Sequence, residues 1–487
     1  MFYEKTELIP APSRRKILLS RFKGIDTGRR DGALPCDYAR EASGFGFKDG
    51  CLISGPGARV LKGVKEDHSV VSLPDIPYPE YACKIDVYRN DLPEDNFNKI
   101  ILMFYNGAAA LSAGKFDEWY ELFYYVLASF ETGANVLDDN GKPVYLMVCP
   151  EVGFMCVHDG DGFIQITSTD EVVTAICKHA DRVFAVMSGD ESSVLYSDAF
   201  DIYNWDISLD AGGYITFDRD LGRIRRLVSF ADYLFVFCDY GIYRVNARGD
   251  QLSFSVKRLF TSSSRIYPDS IVEAGERVIF CAADGIYSFN GYDVNRICTR
   301  LNDYFSVQAD GMCAAYCKHK YYLSFRICEG EWTSGENNAL AVLDLDDGEV
   351  SLSRGLNIYS MATLATTRQN TVMGTAVNNE SILEILPDLG SFMGQELEKS
   401  WKIEGADMGE PGALKVIAAA ESNSPTPFTL VFTSDEGVSV EEDFEPGKCA
   451  RRVGISGRRF DVQIKTSEEN VLIRPIELTV DFFEGEK

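Results

Sequence analysis

Seven short apolar runs, rich in β-branched and aromatic residues, recur along the middle of the chain, and their spacing restricts the fold more than any other feature. They are "KIILMFY" from Lys99, "PVYLMVC" from Pro143, "RVFAVM" from Arg182, "YLFVFC" from Tyr233, "RVIFCA" from Arg277, "YYLSF" from Tyr321 and, more weakly, "NTVMGTAV" from Asn370. Successive starts lie 44, 39, 51, 44, 44 and 49 residues apart. A period of this length is that of a β-propeller blade, a small antiparallel sheet that cannot bury its own faces and must stack on its neighbours. The fold expected is therefore all-β: one propeller of about seven blades over 99–391, or six if the last run is not a blade.

The repeats carry hairpin chemistry. In "YLFVFCDYGIYRVN" and "RVIFCAADGIYSFN" an apolar strand meets a turn and then a second strand opening on "GIY". Gly241 and Gly285 are expected to take the positive φ of a tight turn. The sixth unit is interrupted by "CEGEWTSGENN" at Cys328–Asn338, expected as a surface loop because its polar backbone has no partners inside. "LDDGE" is expected to be a further turn between strands. "SAGKFDEWYELFYYVLASFETGANV", Ser112–Val136, reads as a helix inserted after the first blade strand.

Outside 99–391 the rhythm changes. Residues 392–487 alternate in short strands such as "LKVIAAA", "FTLVFTS" and "RRFDVQIKT", the spacing of a β-sandwich-like domain. Residues 1–98, rich in Gly and turn formers, are expected to lay an arm on the propeller and to give it a closing strand, which removes a free sheet edge.

One loop stands apart. "SVLYSDAFDIYNW" follows "RVFAVM" and has neither helical nor strand period. It reads as the excursion toward the next blade, which is expected near "GGYITF". Asp198, Asp201 and Asn204 are suited to bonding their own backbone, and Trp205 to folding over a blade edge. A structural clasp is the main expectation, with a sugar or metal site on the same carboxylates as the alternative. This loop resembles a "Leu-Tyr-x-Ser-Asp-x-x-Asp-x-x-Asn-Trp" segment of β-propeller virion proteins of tailed phages, of the tail-nozzle and head-to-tail stabilisation type. "LSRFKGID" at Leu19–Asp26 resembles their amino-terminal arm, and the carboxy-terminal strands resemble their closing sandwich. The resemblance implies a structural component of a virion, made in a host cytoplasm. It implies a homo-oligomeric ring around the DNA channel, contacting other tail or connector proteins and, in passing, packaged DNA.

Charge and motifs bear on this. The net charge of −26 disfavours wrapping nucleic acid, because phosphate binding needs clustered Lys and Arg, whereas an acidic channel wall lets a genome slide. The basic clusters at Ser13–Lys16, Gly222–Arg226 and Ala450–Arg459 are read as solvated or structural. No stretch has the length of a membrane span, and the amino terminus lacks the apolar core of a secretory signal. Thirteen cysteines, several inside apolar runs, fit reduced thiols. Cys313 and Cys317 with His319 lack a second ligand pair for zinc. "HDGDG" at His158–Gly162 lacks the closing Glu of a calcium loop and reads as a hairpin turn. No nucleophile elbow or zinc-protease motif occurs, so no catalytic residue, metal or cofactor is assigned. The contact residues expected are Asp198, Asp201, Asn204, Trp205 and Trp332. The alternative function is a glycan-binding or carbohydrate-active propeller whose cavity gathers Trp119, Trp205, Trp332 and Trp401, although no repeat carries a sialidase box.

Overall fold

The computed structural model describes residues 12–20, 22–28, 38–65, 67–81, 83–88, 98–129, 132–138, 140–149, 153–158, 163–166, 173–209, 211–305, 311–328 and 336–483. The chain forms two compact units, one of Ala58–Leu340 with Leu356–Leu386, the other of Met1–Gly57, Ala341–Gly355 and Pro387–Lys487.

The larger unit is a propeller with seven sheets among the described residues. Each of the seven apolar runs supplies the second strand of its sheet: Lys99–Ser112, Pro143–Cys149, Arg182–Met187, Tyr233–Cys238, Val278–Ala282, Lys320–Phe325 and Asn370–Ala376. The physical reason is burial on both faces. Phe184, Val236 and Phe280, at mid-strand, are completely covered, because the second strand lies between two neighbouring blades. Outer strands such as Ser255–Thr261 are mostly exposed and correspondingly polar.

Apolar clusters weld successive blades. Phe184 and Val194 of the third pack with Leu234 and Val236 of the fourth, and Phe235 and Phe237 of the fourth with Phe280 and Phe289 of the fifth. The Tyr321 hydroxyl of the sixth donates to Ser270 O of the fifth at 2.8 Å, and Thr363 Oγ1 of the seventh to Tyr316 O of the sixth at 2.7 Å. The ring closes where Leu364 and Met373 of the seventh blade pack on Ile85, Ile100 and Leu102 of the first. There Thr375 Oγ1 donates to Cys83 O at 2.5 Å. The amino-terminal strand Gly57–Val60 joins the sheet of Ile358–Ala365, Asn370–Ala376 and Leu383–Leu386, with Leu61 N–H donating to Ile382 O at 2.8 Å.

Three expectations are corrected. Among its described residues Ser112–Val136 holds no helix: Trp119–Ser129 pairs antiparallel with Lys99–Ser112, and Thr132–Leu137 opens the second blade. The run is dense in aromatic residues, which favour the pleated sheet, and the chain reverses at 113–118 where Phe116 takes φ 52° and donates to Ser112 O at 3.0 Å. "GGYITF" does not start a blade: Gly213–Thr216 is the fourth strand of the third sheet, paired with Ser193–Tyr196, and the next blade starts at Ile224. Gly285 has φ 147° as expected, but Gly241 does not have positive φ. Both glycines close two-residue hairpins, opposite Ala282 and Cys238. Gly241 is required for space instead, since a Cβ there would sit 2.5 Å from Phe260 O.

The smaller unit contains a β-sandwich-like pair of sheets. One holds Ser13–Leu19, Ile476–Phe483, Leu414–Ser424 and Gly447–Gly457; the other Glu41–Ser43, Lys399–Ala406, Phe460–Thr466, Phe428–Ser434 and Ser439–Phe444. Strict alternation of buried and partly exposed residues along Phe428–Ser434 shows one face turned to a core. Ser13–Leu19 pairs residue by residue with Ile476–Phe482. The "FKGID" motif is structural here: Phe22 meets Trp401 edge-on at 4.9 Å, and Gly24 at φ 120° lies so close to Val350 that a Cβ would stand 2.7 Å from its carbonyl oxygen. Among the described residues no helix is long and apolar enough to cross a membrane.

Candidate functional site

The loop between Ser193–Tyr196 and Gly213–Thr216 leaves and re-enters the third blade, and its side chains hold its own backbone. Asp198 Oδ1 accepts Ala199 N–H at 2.7 Å, Asp201 Oδ1 accepts Tyr203 N–H at 3.0 Å, and Asn204 Oδ1 accepts Asp206 N–H at 3.2 Å. Asp198 N–H donates across the loop to Asn204 O at 2.8 Å. Trp205 donates from Nε1 to Ile202 O at 2.8 Å and packs partly buried on the cluster of Val136, Val144 and Ile202. Four of the five residues expected at a contact are thus brought together, as a clasp built from side-chain-to-backbone turns. Trp332 and most of the "CEGEWTSGENN" insertion lie outside the described residues, as does the 159–162 part of "HDGDG".

Beneath the clasp is Arg182, 7% exposed in its side chain, whose NH1 donates to Ser197 O at 2.7 Å and Ala211 O at 3.1 Å. Its guanidinium lies 5.4 Å from the Tyr196 ring centroid and 5.8 Å from that of Phe254. This buried cation ties both ends of the loop to the blade. Beside it, His179 is buried, with Nδ1 2.9 Å from Ser229 Oγ, and burial pushes it down to about 4.

What the sequence did not single out is Phe200. The clasp holds this residue at φ 61°, with its N–H donating to Asp181 O at 2.7 Å and its side chain 77% exposed. A non-glycine residue in that region is strained by an order of 1 kcal/mol, and here the surrounding turns over-determine it. The available signal was its place in "SDAFD", an apolar residue flanked by two turn-forming aspartates.

Other singled-out residues are dispersed. Trp119 donates to Pro74 O at 3.2 Å within the core between the first and seventh blades, and Trp401 is buried in the smaller unit, so the described tryptophans gather in no common cavity. Charges of both signs meet between blades: Asp269, in the turn before the first strand of the fifth blade, lies 3.9 Å from Lys84 of the first and 3.7 Å from Arg226 of the fourth. Cys317 Sγ donates to Asn370 Oδ1 at 3.1 Å, and His319 sits in the following turn at φ 61°. Burial pushes the Cys177 thiol up to about 12, which keeps it protonated and a poor nucleophile at neutral pH.

No known protein family matches the sequence, and no curated protein matches it. Among solved structures, the chain is similar to BBS1N as crystallised in complex with ARL6DN, at 10% identity over 67% of this chain and 96% of that one, with a TM-score of 0.40. It is also similar to BamB from Moraxella catarrhalis, at 11% identity over 70% and 95%, TM-score 0.37. The Neurospora crassa Pan2 WD40 domain matches at 8% identity over 63% and 90%, TM-score 0.39.

Proposed function

We propose that the chain is a non-enzymatic structural component of a tailed-phage particle, in the tail or at the head-tail connector, that works by making contacts. One observation carries this: Phe200 stands in solvent at a strained backbone angle, its N–H bonded to Asp181 O and its flanking Asp198 and Asp201 bonding the loop backbone. Aromatic anchors that are already ordered lose little entropy on association, which is how interfaces gain most of their energy. The segments that resemble virion propeller proteins support the reading. So does their use, since "LYSDAFDIYNW" builds the clasp and "FKGID" the core of the smaller unit. In this role copies stand in a ring around the DNA channel beside other tail or connector proteins.

Peptide mass spectrometry of density-purified particles tests the proposal. The chain should be present in several copies per particle and should stay with the particle in high salt. A purified chain that releases sugars from a host polysaccharide, or its absence from particles, would replace this reading with the carbohydrate-active one.

A further inference from the structure

We infer that one face of the propeller, across the third, fourth and fifth blades, is a docking surface for a basic protein. This rests on the reading that the chain works by contact, and not on the identity of the particle. In a four-stranded antiparallel blade the loops after the first and third strands emerge on the same face. The loops after the third strands of these blades each carry an exposed apolar residue beside an Asp or Asn that bonds the loop backbone. Asp198-Ala199-Phe200, Asp250-Gln251-Leu252 and Asn290-Gly291-Tyr292 each place an apolar residue two positions after an Asp or Asn whose side chain takes a loop amide. The bonds are Ala199 N–H to Asp198 Oδ1 at 2.7 Å, Leu252 N–H to Asp250 Oδ1 at 2.9 Å and Tyr292 N–H to Asn290 Oδ1 at 3.0 Å. Phe200, Leu252 and Tyr292 are 77, 91 and 61% exposed. Single exposed hydrophobes are ordinary, but three successive blades each present one from the same loop: Leu252 and Tyr292 donate their own amides to the Asp250 and Asn290 side chains, while Phe200 is fixed by its N–H bond to Asp181 O, and together they form a row.

The row is continuous. The Tyr196 hydroxyl of the third blade donates to Gln251 Oε1 of the fourth at 3.1 Å. The Arg244 guanidinium of the fourth lies 4.6 Å from the centroid of Tyr233 and 5.7 Å from that of Tyr292 on the fifth. Around it the exposed charges are Asp206, Asp232, Asp250, Glu276 and Asp293 against Arg248 and Arg277, and Arg248 is paired with Asp232 at 2.5 Å. Acidic charge around apolar anchors selects a surface of Lys and Arg around apolar hollows. This acidic face repels nucleic acid, anionic lipid and the same face of a second copy.

The test uses the full chain and a fluorescent amphipathic peptide of lysine and leucine, with polylysine of equal charge as control and phosphatidylcholine and phosphatidylglycerol vesicles as competing surfaces. The intact chain should bind the Lys-Leu peptide at least about tenfold more tightly than polylysine. Phe200→Ser/Leu252→Ser/Tyr292→Ser should remove that advantage, and Glu276→Lys/Asp293→Lys should weaken both ligands. Leu252→Ser alone, at the most exposed position, gives a variant whose folding is not in question. Equal binding of the two peptides, no binding of either, unaltered binding by the triple variant, or preference for vesicles would each overturn the inference. Sugar release by the same preparation would overturn the proposed function while leaving this result standing.

Discussion

Replacing Arg182 with methionine should loosen the clasp that presents Phe200, and the structure sets the size of the effect. Two bonds from a buried cation, to Ser197 O at 2.7 Å and Ala211 O at 3.1 Å, are lost together, at about 1.5–2 kcal/mol each. The two ring contacts add about 1 kcal/mol. Methionine keeps the apolar stem and relieves the desolvation of a guanidinium whose Nε has no partner, which returns about 2 kcal/mol. The ion pair with Asp198 at 3.9 Å is partly solvated and adds little. The net loss is about 2–3 kcal/mol, and for a unit of this size, at roughly 2 cal/mol/K per residue, Tm should fall by about 4 °C. Calorimetry reads the first effect and amide exchange at Phe200 the second. Arg182→Lys should fall between, since it keeps the charge without the fork. An unchanged Tm with unchanged exchange at Phe200 would refute the role given to Arg182.

Gly285→Val and Gly241→Val should each cost more than about 1 kcal/mol, the first through strain at φ 147° and the second through collision with Phe260 O, as read by thermal melts; unaltered melting in either would refute its assignment. His179 titrates at about 4 when folded and near 6.5 when unfolded, so between those values the unfolded chain binds a proton the native one refuses. Stability relative to His179→Gln should therefore fall as pH drops from 6.5 to 4, by on the order of 2–3 kcal/mol; a flat difference in denaturant midpoints would contradict this. Iodoacetamide at pH 8 should label the exposed Cys328 in the native protein, but Cys83, Cys177 and Cys238, pushed up to about 12 by burial, only after unfolding; prompt native labelling of those three would contradict their placement.

The propeller was legible because second strands are covered on both faces, so runs such as "YLFVFC" show no alternation and repeat at blade length. The Ser112–Val136 segment, expected as an inserted helix, is instead two strands, because its aromatic residues favour the pleated sheet. Its strand identity rests on pairing, Trp119–Ser129 with the preceding strand Lys99–Ser112 and Thr132–Leu137 with Pro143–Cys149, and not on its own periodicity. Gly241 and Gly285 share one sequence context and are both crowded by a carbonyl of the next strand, Phe260 O and Cys298 O, that no local pattern encodes, yet only Gly285 takes a positive φ. At the candidate site, Asp198, Asp201, Asn204 and Trp205 announced a turn-rich clasp through their residue types. Phe200 did not, since its exposure follows from how those turns aim it.

The most direct measurement is an electron cryomicroscopy reconstruction of the assembled particle at side-chain resolution, compared with the free chain. The propeller should be found with the loop of Asp198–Trp205 against a neighbouring protein and Phe200 covered, in a conformation unchanged from that described above. A map in which Phe200 remains in solvent while the chain is held by other surfaces would contradict the claim that this loop is built for contact.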